Sequence, residues 1–517
     1  MLKSSGGIGA ATLSSRVLGL VREQVYAAFI GTSGIYGAFA LAYTVPNLFR
    51  RLLGEGALTA AFIPIFKTKE KKEGEAAMWH SANAVISGLI AVSLAVVVIA
   101  MLIISALLLA VPWRAETRLM LELMRMMFPY MLLACVGAVF IGILNSRGHF
   151  FIPALGAAVL NIVMIASVWF LAPLMGKRLE TQIFALAIGV LLAGVAQMLF
   201  QVPSLRSEGF RYRWVSPWHD PTVREVVQKM IPSTIGVAAF QINVMLTQGL
   251  AFGESARIVA DFVYAVRLME LPQGVFGISL ATFLLPTLAG FAVEKKYDQF
   301  RATLRQAIGH LIFVNLLASV LLFTLAAPIV RLLFQHGKFD AHSTQQVSFA
   351  LVCLVPGLVS FSLVNIFARA FYALGDILTP MRISIFCLAI NLIFAVVFLF
   401  VFQLGPGALG IANTLSATCN LGLLAYALRK KLRTLEMKES VAQYPLIGAI
   451  GLAAGLTAWG IRMAWQSHLG HSNLALRLGE VFVPMIAATA LYFALSIWLK
   501  AGSAREILEL VSVRISR

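Results

Sequence analysis

Long apolar stretches recur along the chain, broken by short polar runs. At about 1.5 Å per residue, twenty residues of helix cross a hydrocarbon layer of about 30 Å. On this pattern fourteen spans are predicted, at 6–30, 35–65, 80–111, 119–145, 152–174, 182–204, 230–252, 258–292, 302–328, 345–374, 379–403, 407–429, 443–466 and 475–499. The first, second and eighth are the least apolar. A plain hydropathy scan readily passes over the first.

The polar breaks carry a topological signal. With the N-terminus in the cytoplasm, the basic runs "KTKEKK" (67–72), "RSEGFRYR" (206–213), "EKKYDQFR" (294–301) and "RKKLR" (429–433) all fall on the cytoplasmic side, as does the C-terminal tail. Basic residues mark cytoplasmic loops, so an even number of spans with both termini inside is expected.

The pattern also repeats. Pro129, Gly148 and Pro153 recur 227 residues later as Pro356, Gly375 and Pro380. "VPNLFRRLLGEGALTAAFIPIF" (45–66) echoes "LPQGVFGISLATFLLPTL" (271–288). Each half then holds six spans, and both halves enter from the same side. Such parallel repeats build transporters with a site between the halves. The expected architecture is an all-α polytopic membrane protein with two pseudo-symmetric six-helix lobes around a central cavity. Residues 1–215 form the first lobe and 216–435 the second. Residues 436–517 add two C-terminal helices and a tail.

Composition agrees. Of 517 residues, 60% are hydrophobic and 12% charged, about half the charged fraction of a soluble protein. The net charge of +18 is explained by the loops, and no basic–aromatic nucleic-acid motif accompanies it. The N-terminus lacks the apolar core and cleavage site of a signal peptide. The four cysteines are widely spaced in apolar stretches and read as buried thiols.

Charge inside the spans is the informative exception. A guanidinium near the bilayer centre costs about 2.5–3.5 kcal/mol on insertion scales, so it faces a wet cavity or a partner. Arg16 and Arg22 lie on span 1, Arg50 on span 2 and Arg267 on span 8. Arg51, Arg125 and Arg369 lie nearer span ends, where snorkelling suffices. Six helical residues turn about 240°, so Arg16 and Arg22 diverge by about 120° and share only a broad cavity. Nearby acids (Glu23, Glu55, Asp261, Glu270) are too few to neutralise all the arginines. A cluster of guanidiniums fits a phosphate or diphosphate, which it grips bidentately. A cation exporter would instead need carboxylates in its spans.

Pro46, Pro64, Pro272 and Pro286 interrupt spans 2 and 8, and Gly54, Gly56, Gly274 and Gly277 add pliability there. These are the expected gating hinges. No enzyme signature is present: no HExxH, no nucleotide-binding glycine loop, no GxSxG. The histidine pairs 336/342 and 468/471 read as solvated loop residues, so neither metal nor cofactor is expected.

The runs "SRVLGLVRE", "PNLFRRLLGEGALTAAFIPIF", "RLMELPQGVFGISLATFLLPTL" and "FQHGKF" (334–339) resemble the lipid II flippases of the MurJ (MviN) family, across essentially the whole chain. That family sits in the multidrug/oligosaccharidyl-lipid/polysaccharide exporter superfamily. The resemblance implies flipping of lipid II, the undecaprenyl-diphosphate-linked peptidoglycan precursor, to the periplasmic leaflet of the bacterial inner membrane for cell wall synthesis. It implies the cell wall machinery as a partner and an alternating-access cycle. It places the family's cavity arginines on Arg16, Arg22, Arg50 and Arg267. It matches Asn47 and Pro46 to the family's "PN", and Glu270 to a family acid. Glu23 keeps an acid after Arg22. Spans 13 and 14 would form a groove for the polyprenyl tail.

Two positions depart from the family. Gly37 and Val266 stand where its members often have Asp, which leaves this cavity more positive. The spans where some members hold sodium offer Gln241, Asn243, Asn391, Asn413 and Thr414 but no carboxylate, so sodium coupling is not expected. An exporter of another polyprenyl-diphosphate glycan is the alternative; a drug or cation antiporter fits less well.

Overall fold

The structure, a computed structural model, describes residues 2–53, 57–434 and 438–501. Gly54, Glu55 and Gly56 therefore lie outside the described residues, and with them two of the expected hinges. Among the described residues helix is the only regular secondary structure, with no strand.

Contacts divide the chain into two compact units. The first comprises Met1–Ala260 with the short turn His336–Phe339. It contains α1 (Leu2–Ile30), α2 (Gly34–Leu53), α3 (Ala57–Glu73), α4 (Glu75–Ala110), α5 (Ala115–Met127), α6 (Tyr130–Ser146), α7 (Phe151–Ala166), α8 (Leu179–Ser207) and α9 (Pro221–Glu254). Helix α1 packs on α7, α7 and α6 on α8, and α2 against α5 and α9. Around α3, α4, α6 and α8 an aromatic chain fills the core, from Phe62 through Phe66, Trp79 and Phe210 to Phe140.

The second unit holds the remainder of the chain from Asp261. Its boundary falls inside α10 (Ala256–Pro272). After that come α11 (Ser279–Val293), α12 (Tyr297–Thr324), α13 (Ala326–Phe334), α14 (Ala341–Leu354), α15 (Leu358–Ala373), α16 (Leu378–Val396), α17 (Pro406–Leu432), α18 (Lys438–His468) and α19 (Leu474–Trp498). Helix α17 packs on α14, α15 and α16, while α18 packs on α12 and α19 on α13. Leu284, Leu288, Phe300, Leu304, Ile366, Phe367, Phe371, Leu424 and Leu428 form its core.

The internal repeat is visible in backbone detail. Each unit has a hairpin whose turn glycine, Gly148 or Gly375, takes a positive φ of 89° or 73°, which glycine adopts without strain. The second helix of each hairpin ends in a π-helical turn, Ser167–Leu171 in one and Val397–Val401 in the other. Local signals set the helix ends. Asp220, Asp340 and Asn473 cap α9, α14 and α19 by accepting backbone N–H bonds of 2.7–2.8 Å, the role short polar side chains fill best.

Among the described residues, the predicted spans fall mainly on helix. Among the described residues, nine helical segments are long and apolar enough to cross a membrane, or ten with the pair α5–α6, bent by 42° at Phe128–Pro129. The remaining predicted spans fall on α1, α2–α3, α9 and α10–α11. Three of them bear the arginines singled out above, and their charge is what lowers their hydropathy.

Candidate functional site

In α1, Arg16 is exposed while Arg22 turns inward, as their separation around the helix requires. The Arg22 side chain is 18% exposed and that of Glu23 4%. Arg22 Nη2 donates to Glu23 Oε1 at 2.5 Å and Nη1 donates to Asn161 Oδ1 at 3.0 Å. Its guanidinium also sits 5.6 Å from the Tyr26 ring centroid, within cation–π range. The Tyr36 hydroxyl donates to Glu23 Oε2 at 3.3 Å. Asn161 uses its amide in both directions, its Nδ2 donating to the Ser15 carbonyl at 3.1 Å. Arg22 is thus held in place as one member of a buried polar network spanning α1, α2 and α7.

On α2, Arg50 is half-buried and its Nε donates to Asn47 Oδ1 at 2.8 Å. Pro46 lies inside this helix, which continues through it. Pro64 likewise lies inside α3. Gly37 packs against the backbone of Ala256, and Gly34 against Glu116. A cleft of about 390 Å³ opens at this end of the unit, lined by Trp113, Arg114, Glu116, Phe252 and Glu254 among others. None of the predicted arginines lines it.

In the second unit, Arg267 on α10 donates to Glu270 at 2.8 Å, and both side chains are about half exposed. Helix α10 ends at Pro272 and a π-helical segment, Gln273–Ile278, leads into α11. Gly274 lies in that segment, which matches the interruption expected for span 8. Gly277 faces Ser362, where a Cβ would approach the hydroxyl to 2.9 Å.

Three polar clusters were not anticipated. Asn161 carries no charge and gave no signal in an apolar stretch. Arg147, in the α6–α7 turn, pairs with Glu70, with Glu75 at 3.2 Å and with Glu208 at 2.7 Å, and His149 bonds to Glu208 at 2.7 Å. Glu480, inside α19 and fully buried, accepts from Arg331 Nη1 at 2.8 and 2.9 Å and from Gln466 Nε2 at 2.7 Å. An acid within an apolar run was the available signal for this last one. Among the described residues no group of three metal-ligating side chains occurs.

The fold matches solved transporters. An inward-facing MATE family multidrug transporter of the MOP superfamily aligns with a TM-score of 0.67 at 16% identity, covering 82% of this chain and 96% of that one. A structure titled lipid II flippase MurJ, inward closed conformation, aligns with a TM-score of 0.75 at 21% identity, covering 95% and 98%. The fold is therefore the two-unit helical one that these structures share.

Sequence narrows it further. The family described as lipid II flippase MurJ matches residues 26–478. A probable lipid II flippase MurJ of Vibrio cholerae is 32% identical over 89% of this chain and 91% of its own length. The lipid II flippase MurJ of Burkholderia cenocepacia is 31% identical over 94% of each. The chain belongs to the MurJ lipid II flippase family.

Proposed function

We propose that this protein flips lipid II from the cytoplasmic to the periplasmic leaflet of the bacterial inner membrane by alternating access, as a transporter and not a catalyst. The observation that carries this reading is the family match over residues 26–478, joined by relatives of that name aligned along nearly their whole length.

The charge pattern supports it chemically. Arg16, Arg22 and Arg50 in the first unit and Arg267 in the second supply guanidiniums suited to a diphosphate, with Asn47 and Glu270 setting the direction of Arg50 and Arg267. Glu23 holds Arg22 in register. Pro46, Pro64, Pro272 and Gly274, together with Gly54 and Gly56, provide the bending that exchange of access requires. In functional terms the lobes are residues 1–215 and 216–435, with 436–517 holding the lipid tail. Both termini face the cytoplasm, and the flipped lipid passes to the cell wall synthesis machinery.

The test is translocation of lipid II in proteoliposomes containing only this protein, read by a membrane-impermeant enzyme that acts on the headgroup. Exposure by the wild type and its loss in Arg267→Ala is the expected result. Exposure of a different polyprenyl-diphosphate glycan, with none of lipid II, would replace the substrate and keep the transporter.

A further inference from the structure

The chain between α8 and α9 contains no helix, yet it is tied along α4 at every turn. Phe210 packs at a tilt against Trp79 and edge-on against Phe140, with ring centroids 5.6 and 5.9 Å away. One turn on, Asn83 grips the backbone from both sides, donating to the Arg211 carbonyl at 3.2 Å and accepting from Arg213 N–H at 3.3 Å. A further turn on, Ser87 Oγ accepts from Val215 N–H at 3.3 Å and lies 3.2 Å from the Tyr212 hydroxyl. Pro217 then closes on Gly88, where a Cβ would come within 3.1 Å of its ring. Backbone without helical bonds needs partners of this kind beside a membrane. That is why an apolar helix carries Asn83 and Ser87.

The depth of this strap can be read from α4. With 36 residues it is about 54 Å long, against about 30 Å of hydrocarbon. Its exposed apolar face runs from Val92 to Leu109, whereas Ser81–Gly88 are all buried. The strap therefore covers the part of α4 just outside the hydrocarbon. Trp214 and Trp218 flank its upper end, beside Ser87 and Gly88, and are 61% and 72% exposed. Arg211 and Arg213 sit at the level of Asn83, about 6 Å farther out along the helix.

Both arginines are exposed, and neither makes an ion pair among the described residues. The acids at either end of the strap are already engaged. Glu208 is taken by Arg147 and His149, and Asp220 by the first amides of α9. Tryptophans at the hydrocarbon edge with guanidiniums a few ångströms outside them reproduce the layering of an interface, ring first and phosphate next.

We propose that residues 210–218 are a membrane foot that binds anionic phospholipid headgroups of the leaflet at the Glu75 end of α4, Trp214 and Trp218 seating it and Arg211 and Arg213 contacting phosphate. The test uses the full chain in nanodiscs of brominated phosphatidylglycerol or brominated phosphatidylcholine, read by tryptophan fluorescence. The component of emission that Trp214→Phe/Trp218→Phe removes is quenched in both lipids. In mixed nanodiscs, Arg211→Gln/Arg213→Gln lowers the preference for phosphatidylglycerol by about fivefold per arginine. If the two tryptophans are not quenched, the foot faces water and the proposal fails. If they are quenched but the wild type does not prefer the anionic lipid, the phosphate contact fails. Neither outcome depends on lipid II transport.

Discussion

Gly37 lies so close to the carbonyl of Ala256 that a Cβ there would run into it. The resemblance to the family implied an Asp at this position, and the departure has a physical meaning. Here α2 reaches the start of α10 by close backbone packing, with no room for a carboxylate. Gly37→Ala is expected to cost about 1–3 kcal/mol, the range for overpacking. Gly37→Asp should cost more, because it adds a charge as well as volume. Thermal unfolding in detergent measures both. Equal stability of all three proteins would mean the two backbones part readily.

Arg22 and Glu23 should be tested as a pair. Removing Arg22 alone takes from the buried Glu23 the guanidinium 2.5 Å away, and breaking one side of a buried pair costs about 3–5 kcal/mol. Arg22→Ala is thus expected to lower the amount of folded protein as well as transport, and Arg22→Ala/Glu23→Ala to recover much of it. Arg16→Ala and Arg267→Ala, at exposed side chains, are expected to lose transport while protein levels hold. Quantitative immunoblots beside the transport assay separate the two effects.

Much of this arrangement is legible in the chain itself. Apolar run length anticipated the long apolar helices, and the Pro–Gly spacing that suggested a repeat returns as paired positive-φ turns and paired π turns. Intramembrane charge pointed to Arg22 because a buried guanidinium is too costly to be incidental. Neutral partners gave no such signal, so Asn161 was invisible until α7 lay beside α1. Cross-helix ion pairs such as Arg147–Glu208 join residues 61 apart, and only packing brings them together. Gly37 looked like a missing acid, since sequence does not show which backbone stands opposite.

The ionic cluster at the α6–α7 turn makes a pH prediction. Glu208 is held below its ordinary value of 4.5 by the hydrogen bond from His149 and by Arg147. Glu70 is lowered by Lys67 and Arg147 against the cost of its burial. A depressed carboxylate stabilises the fold above its unfolded value and loses that contribution as pH falls through the folded one. Stability should therefore drop as pH goes below 4.5, and Glu208→Gln should flatten the drop. In the second unit, burial opposes ionisation of Asp376, but Lys431 and Thr379 prevail and bring it from 3.8 to about 2. Its share should persist to lower pH, and Lys431→Met should shorten that range. Melting temperatures from about pH 6 to about pH 2 give both slopes.

Glu480 carries the last prediction. It is the buried acid of α19, and Arg331 of α13 meets it with two short contacts while Gln466 of α18 adds a third. The three residues tie the C-terminal helix pair to α13. Glu480→Ala strands Arg331 in an apolar setting and should cost about 3–5 kcal/mol. Replacing both partners together, as Arg331→Met/Glu480→Met, removes the two desolvation penalties with the attraction and should cost far less. If the pair serves only stability, the double variant transports normally once folded. If it fixes where α18 and α19 stand, the double variant folds but transports poorly, and the deficit grows as the lipid tail is lengthened. Transport rates for short- and long-tailed substrates in the double variant decide between a rivet and a positioning device.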